Sequence, residues 1–182
     1  ARSARRPFLV LVFAPGCSFI ASLFPAQLFP GAGAAQVIAD EAGAEGRLQG
    51  HIDGVIVGGP EGFAYPALWE CKCLGNKSWR ELEKNSLAVA KPIYAAQVAI
   101  YQAYLELHEH PAIFTALNAD TMNLYTELVP FDAALAQRMS DRAVKVITAT
   151  DAGELLPRAV NDQTHFECRM CAWQDRCWRT PG

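Results

Sequence analysis

Hydrophobic and polar positions fall into two regimes along the chain. Residues 7–29 are rich in Phe, Leu, Val and Ala and carry no charge. From Gln36 onward the apolar residues come at the spacings of strands and helices. Residues 36–40 and 47–57 read as strands able to pair as a hairpin, Gly58-Gly59-Pro60-Glu61-Gly62 reads as a turn, and 65–74 reads as the next strand, broken at Gly75-Asn76. Residues 79–86 read as a short helix or a loop. A long helix is expected from Pro92, which suits a first helical position, to about residue 108, with Ile93, Gln97, Ile100, Tyr101, Tyr104 and His108 on its inward stripe and His110-Pro111 ending it. Strands at 112–117 and 122–129 flank the turn Asn118-Ala119-Asp120. Asp132 then caps a helix that reaches about residue 150, with Leu135, Met139, Ala143, Val146 and Ile147 inward. Strands, helix, strands, helix make an α/β fold: a mixed sheet flanked by helices, largely antiparallel at its start.

Composition narrows this picture. A chain of 182 residues allows one domain with a small appendage. At 51% apolar and 19% charged it is too apolar for disorder and has enough for a core. Beyond residue 40 no uncharged apolar run is long enough to span a bilayer, so no membrane partner is expected. A net charge of −3 excludes a broadly basic nucleic-acid coat and leaves room for a local basic patch. Residues 1–39 contain no Asp, Glu, His or Lys, and their only charges are Arg2, Arg5 and Arg6. A basic start, an apolar middle punctuated by Pro15, Pro25 and Pro30, and small residues at Gly31-Ala32-Gly33-Ala34-Ala35 leave three readings open: a targeting segment, an extension outside the fold, or an N-terminal lobe.

The chemistry concentrates in Gly50-His51-Ile52-Asp53 and Glu70-Cys71-Lys72. Strand side chains alternate, so Gln49, His51, Asp53, Val55 and Val57 share one face. Leu68, Glu70, Lys72 and Leu74 share another, opposite Trp69, Cys71 and Cys73. Pairing of the two strands brings Asp53 near Glu70 and Lys72. Two carboxylates and an ammonium on an apolar sheet are costly to bury alone. A hard divalent cation, Mg²⁺ or Mn²⁺, relieves the repulsion, and the main-chain carbonyl of Cys71 offers a further oxygen ligand. Lys72 is then placed to act on an attacking water and on a phosphoryl transition state. His51 shares the Asp53 face, either as a ligand or as a hydrogen-bonded neighbour. Residues 72–91 hold Lys72, Lys77, Arg80, Lys84 and Lys91 against only Glu81 and Glu83, a patch suited to phosphates, with Trp79 available to stack on a base.

An aspartate strand, an ExK strand and a helix carrying Gln97 and Tyr101 four apart resemble, in that order, the PD-(D/E)XK nuclease superfamily in its RecB-like branch. The resemblance covers residues 36–182. It implies a restriction-endonuclease-like fold and a cytoplasmic Mg²⁺- or Mn²⁺-dependent deoxyribonuclease, commonly an exonuclease. Bacterial or phage-encoded DNA processing, recombination or repair is the implied setting, with DNA as partner and helicase or recombination proteins as possible associates. It gives Asp53 and Glu70 the metal, Lys72 the water and the transition state, and Gln97 and Tyr101 a positioning role. Lys77, Trp79, Arg80 and Lys84 are the expected DNA contacts. The family usually has an upstream helix with a further acid; here no acid precedes Asp40, and Glu41 or Glu45 would have to substitute. A catalytically degenerate DNA-binding module of the same fold is therefore the alternative, and an exported disulfide-bonded protein a further one.

Cys168, Cys171 and Cys177 stand in a C-x2-C-x5-C spacing that suits a metal or cluster. The spacing resembles the C-terminal iron–sulfur motif of CRISPR-associated RecB-like nucleases, AddB-type helicase-nucleases and related phage nucleases. In those families a fourth cysteine comes from the N-terminal part, and Cys17 is the candidate for it here. Alternatively His165 completes a zinc site. Cys71 and Cys73 are expected in the core. The resulting organisation is an atypical apolar segment at 1–35, a nuclease core at 36–158 and a cysteine-cluster segment at 159–182.

Overall fold

The computed structural model describes residues 36–38, 48–59 and 62–179. Strands β1 (Gln36–Ile38) and β2 (Gln49–His51) pair antiparallel as a two-stranded sheet, with Gln36 opposite His51. A second sheet has the order β3 (Gly54–Ile56), β4 (Ala67–Leu74), β5 (Ala112–Asn118), β6 (Leu124–Val129). Its central pair, β4 and β5, is parallel, and the two outer pairings are antiparallel. The parallel pair needs a crossover, supplied by helices α1 (Asn76–Ala90) and α2 (Pro92–Tyr104). The chain is thus α/β, a mixed four-stranded sheet flanked by helices. Every residue of β5 is buried, as a strand covered on both faces requires. Among the described residues no helix is long and apolar enough to cross a membrane.

Several elements depart from the sequence expectation, each for a local reason. The single strand expected over 47–57 is two strands, β2 and β3, interrupted at Ile52-Asp53. There the Asp53 carboxylate, rather than a backbone carbonyl, accepts the Cys71 N–H at 2.8 Å. The strand expected from residue 65 begins at Ala67, because Pro66 has no N–H for the ladder. Asn76 opens α1 instead of lying in a break, and α1 is twice the helix expected around 79–86. Trp79 and Leu82, one helical turn apart, are both buried and anchor it. It is kinked at Ser86 (φ 60°, ψ 172°), and the Leu87 N–H beyond the kink donates to Glu127 Oε2 at 2.8 Å.

Helix α2 stops at Tyr104, short of residue 108. Glu106 takes a left-handed conformation (φ 57°), while the Leu107 and Glu106 N–H groups bond back to the Gln102 and Ala103 carbonyls. This is a Schellman stop without its usual glycine. Ile93 and His108 are exposed rather than inward, and Ala95, Val98, Ala99, Tyr101 and Gln102 form the buried face. Ile93 stands about 140° around the helix from Val98. The expected Asp132 cap is present: Asp132 Oδ1 accepts the Leu135 N–H at 2.8 Å at the start of α3 (Ala133–Ala152). Val146, expected inward on α3, is exposed, and Ala136 and Ala149 are the buried positions.

The described chain forms two compact units divided between Val144 and Lys145, inside α3 and earlier than the expected change at 158/159. The second unit also contains the short helices α4 (Phe166–Arg169) and α5 (Gln174–Arg179). Within it the Arg158 guanidinium donates to the Cys177 carbonyl at 2.9 Å and lies over the Trp178 ring.

Candidate active site

The site grows from the alternation of β4. Trp69 and Cys71 point to one face, where they pack with Ile56, Ala67 and Ile113. Leu68, Glu70, Lys72 and Leu74 point to the other. Leu68 and Leu74 join Val98 and Tyr101 of α2 in the main core, so α2 covers the face that carries the two charges. Glu70 is only 1% exposed. Its Oε1 accepts a hydrogen bond from Lys72 Nζ, and its Oε2 has no partner among the described residues. Burial pushes the Glu70 carboxyl up to about 7; the nearby Asp53 charge adds to this, and Lys72 and the Asp53 peptide N–H pull it back. Burial alone would lower Lys72, but its bond and attraction to Glu70, with Asp53 and Tyr94 adding, raise it instead.

Asp53 reaches this point through the interruption between β2 and β3. Gly54 is opposite Trp69, so continuing the register sets Asp53 against Glu70. Asp53 Oδ2 holds the Cys71 N–H at the edge where β3 ends. A strand residue sends its N–H and C=O to the same edge, so the Cys71 carbonyl leaves β4 on the Asp53 side. The donors present, two carboxylates and a carbonyl with one buried carboxylate oxygen unpartnered, fit a hard divalent cation. They form an incomplete set: among the described residues no three His, Cys, Asp or Glu side chains gather as a metal-ligating group. His51 is exposed on β2.

Helix α2 supplies the rest of the site. Gln97 Nε2 donates to the Tyr101 hydroxyl at 3.0 Å, joining the two residues picked out by their spacing. Tyr101 lies against Gly50, where a Cβ would come within 2.7 Å of both its Cε1 and its hydroxyl oxygen. The glycine of the Gly50-His51-Ile52-Asp53 stretch is therefore what lets the helix approach β2. Gly50→Ala is expected to displace the Tyr101 ring and lower stability by about 1–3 kcal/mol, measured by denaturant unfolding. Tyr94 was not singled out from the sequence. It stacks on Phe114 of β5 at 6.4 Å between ring centroids, and Lys72 Nζ lies 5.3 Å from the centre of its ring. Its spacing from Gln97 and Tyr101, three and seven residues, was the available signal.

The remaining candidates differ in where the structure places them. Lys77, Arg80 and Lys84 are exposed on α1 at i, i+3 and i+7, one face of the helix. Lys91 is tied to Glu81 at 2.9 Å. Trp79 is a correction: it is 6% exposed and its indole N–H donates to the Ala116 carbonyl at 2.9 Å, so it is a core anchor with no face for a base. Cys71 is buried as expected, but Cys73, also expected in the core, is exposed.

In the C-terminal unit Cys168 is half-buried, Cys171 and Cys177 are exposed, and none of the three is in a disulfide among the described residues. The Cys171 N–H bonds to the Cys168 carbonyl at 3.1 Å in a tight turn, and Cys171 Sγ accepts the Trp173 N–H at 3.4 Å. His165 Nδ1 caps α4 by accepting the Glu167 N–H at 3.4 Å. Cys17, Glu41 and Glu45 lie outside the described residues.

No family model matches the chain. No curated protein matches it either. Among solved structures, one titled "Crystal structure of SSO0001" is similar at 17% identity and a TM-score of 0.39, over 74% of this chain and 52% of that one. The chain thus spans about half the length of that protein.

Proposed function

We propose that the chain is a metal-dependent deoxyribonuclease with a restriction-endonuclease-like core, hydrolysing phosphodiester bonds in DNA. The observation that carries this reading is Glu70: a buried carboxylate beside Asp53, with one oxygen on Lys72 and the other without a hydrogen-bond partner within normal distance among the described residues. A buried carboxylate left so is costly, and a cation between Asp53 and Glu70 removes the cost. Mg²⁺ or Mn²⁺, when bound, supplies Lewis acidity toward the phosphate. Asp53 and Glu70 hold it, with the Cys71 carbonyl as a further oxygen. Lys72, steadied by Glu70 and the Tyr94 ring, helps orient the attacking water and donates hydrogen bonds to the charge developing on the phosphoryl oxygens. The water oxygen joins phosphorus as one bridging P–O bond breaks, with the water giving up a proton to bulk solvent and the departing oxygen taking one from it. Gln97 and Tyr101 fix α2 against β2, and Lys77, Arg80 and Lys84 neutralise backbone phosphates. Cys168, Cys171 and Cys177 remain the candidates for an iron–sulfur cluster or a zinc ion.

The incomplete donor set favours a second reading, a DNA-binding module of this fold without turnover. End-labelled single- and double-stranded DNA incubated with Mg²⁺, Mn²⁺ or EDTA decides between them. Cleavage that requires the cation supports the nuclease. Retardation of the DNA without cleavage supports the binding module, and neither result rejects both.

A further inference from the structure

Strand β6 is an edge of the four-stranded sheet, and it lacks the lysine, proline or bulge that usually keeps sheet edges apart. From Leu124 to Val129 each residue stands opposite one residue of β5, without interruption. The other edge, β3, is half as long. The direction of the β6 main-chain groups follows from the neighbouring strands. The Ala119 N–H donates to the Leu74 carbonyl of β4 at 2.9 Å, and the Asn118 N–H donates to the Asn123 carbonyl at 2.8 Å. Alternate residues of a strand bond to opposite edges. Tyr125, Glu127 and Val129 therefore follow Asn123 toward β5, and Leu124, Thr126 and Leu128 send their N–H and C=O groups outward. Among the described residues nothing bonds to those outward groups. The side chains of the same residues are exposed, Leu124 at 60% and Leu128 at 46%. An open ladder flanked by exposed leucines is a surface for strand addition.

The strand itself indicates what adds to it. The run Leu124-Tyr125-Thr126-Glu127-Leu128 has the same order of apolar and polar positions in both directions about Thr126. Antiparallel pairing with a second copy about a two-fold axis at Thr126 sets leucine 124 of each chain against leucine 128 of the other, and Thr126 against itself. Leu124, Thr126 and Leu128 then all fall in hydrogen-bonded pairs of the new ladder. Charge selects this register. An axis at Glu127 sets two carboxylates opposite each other, and an axis at Tyr125 sets Leu124 against Thr126. With the axis at Thr126, Glu127 faces the phenol of Tyr125 across the seam, the same pair that is bonded at 2.6 Å within the chain. We propose that β6 pairs antiparallel with β6 of a second copy of this chain, Thr126 lying on the two-fold axis, so that the two sheets become one. The ladder is short, so the interface falls below about 1,200 Å² and the dimer forms with a Kd on the order of 10 µM.

Sedimentation velocity of the whole chain between about 1 and 200 µM tests this, and a reversible monomer–dimer equilibrium is expected. The Thr126 side chain is exposed, so substitution there leaves the core intact. Thr126→Lys and Thr126→Glu each place like charges opposite one another at the axis and weaken the dimer by about tenfold. An equimolar mixture of the two variants regains at least the unmodified affinity, because opposite charges then meet. A chain that stays monomeric at about 200 µM overturns the proposal and leaves the edge to a strand of another protein. Self-association that neither substitution weakens overturns it too, since the contact then lies elsewhere. A mixture no tighter than the separate variants also overturns it, because Thr126 then does not face itself.

Discussion

On the proposed function, Lys72→Ala is expected to lower the rate of Mn²⁺-dependent DNA cleavage by about 100- to 1,000-fold, the loss that follows when a charged donor aimed at developing phosphoryl charge is removed. The geometry explains why no neighbour substitutes. Lys72 Nζ is fixed between Glu70 Oε1 and the Tyr94 ring, and the exposed cations Lys77, Arg80 and Lys84 belong to another element, α1. Lys72→Arg recovers little of the rate, since a planar guanidinium does not reproduce a point ammonium at this spot. Single-turnover cleavage at saturating enzyme reads the step directly. Circular dichroism verifies that both variants stay folded, which matters because removing one member of a buried ion pair also costs stability. A variant that cleaves at the unmodified rate removes Lys72 from the chemistry.

Glu70→Gln makes the metal-free protein more stable at pH 8, by about 3 kcal/mol. The sign follows from burial. The Glu70 carboxyl rises from an ordinary value of 4.5 to about 7 in the folded chain. Its contribution to stability is therefore complete below about 4.5 and is lost as pH rises toward 7, the opposite of a carboxylate stabilised by its partners. Glutamine imitates the protonated carboxyl at every pH, so the variant lacks this loss. Denaturant unfolding at pH 4 and pH 8 measures it: the two proteins unfold alike at pH 4 and separate at pH 8. Equal stabilities at pH 8 would show that Glu70 is compensated in the folded protein by something other than a cation.

The elements that position the site were legible because they follow from local pattern. Alternation along β4 put Glu70 and Lys72 on one face, and helical spacing put Gln97 and Tyr101 together; both pairs are joined by hydrogen bonds. The Asp132 cap was legible for the same reason. What escaped depends on contacts distant in sequence. Asp53 interrupts its own strand because its carboxylate takes a backbone N–H from β4, and no periodicity announces such an exchange. Trp79 sits in a basic stretch and reads as a surface aromatic, yet the Ala116 carbonyl of β5 draws its indole inward. Helix α2 ends on Glu106, where a glycine would have marked the stop. The role of Gly50 emerges only from the nearness of Tyr101, and that of Tyr94 only from the stack on Phe114 that holds its ring near Lys72.

The central claim is that Asp53 and Glu70 together hold a divalent cation. Electron paramagnetic resonance of Mn²⁺ titrated into the metal-free chain at pH 8 tests it most directly, because free Mn²⁺ gives a sharp signal that binding diminishes. The account predicts a saturable loss of that signal in the unmodified protein, abolished in both Asp53→Asn and Glu70→Gln. A titration that is the same in all three proteins would contradict it.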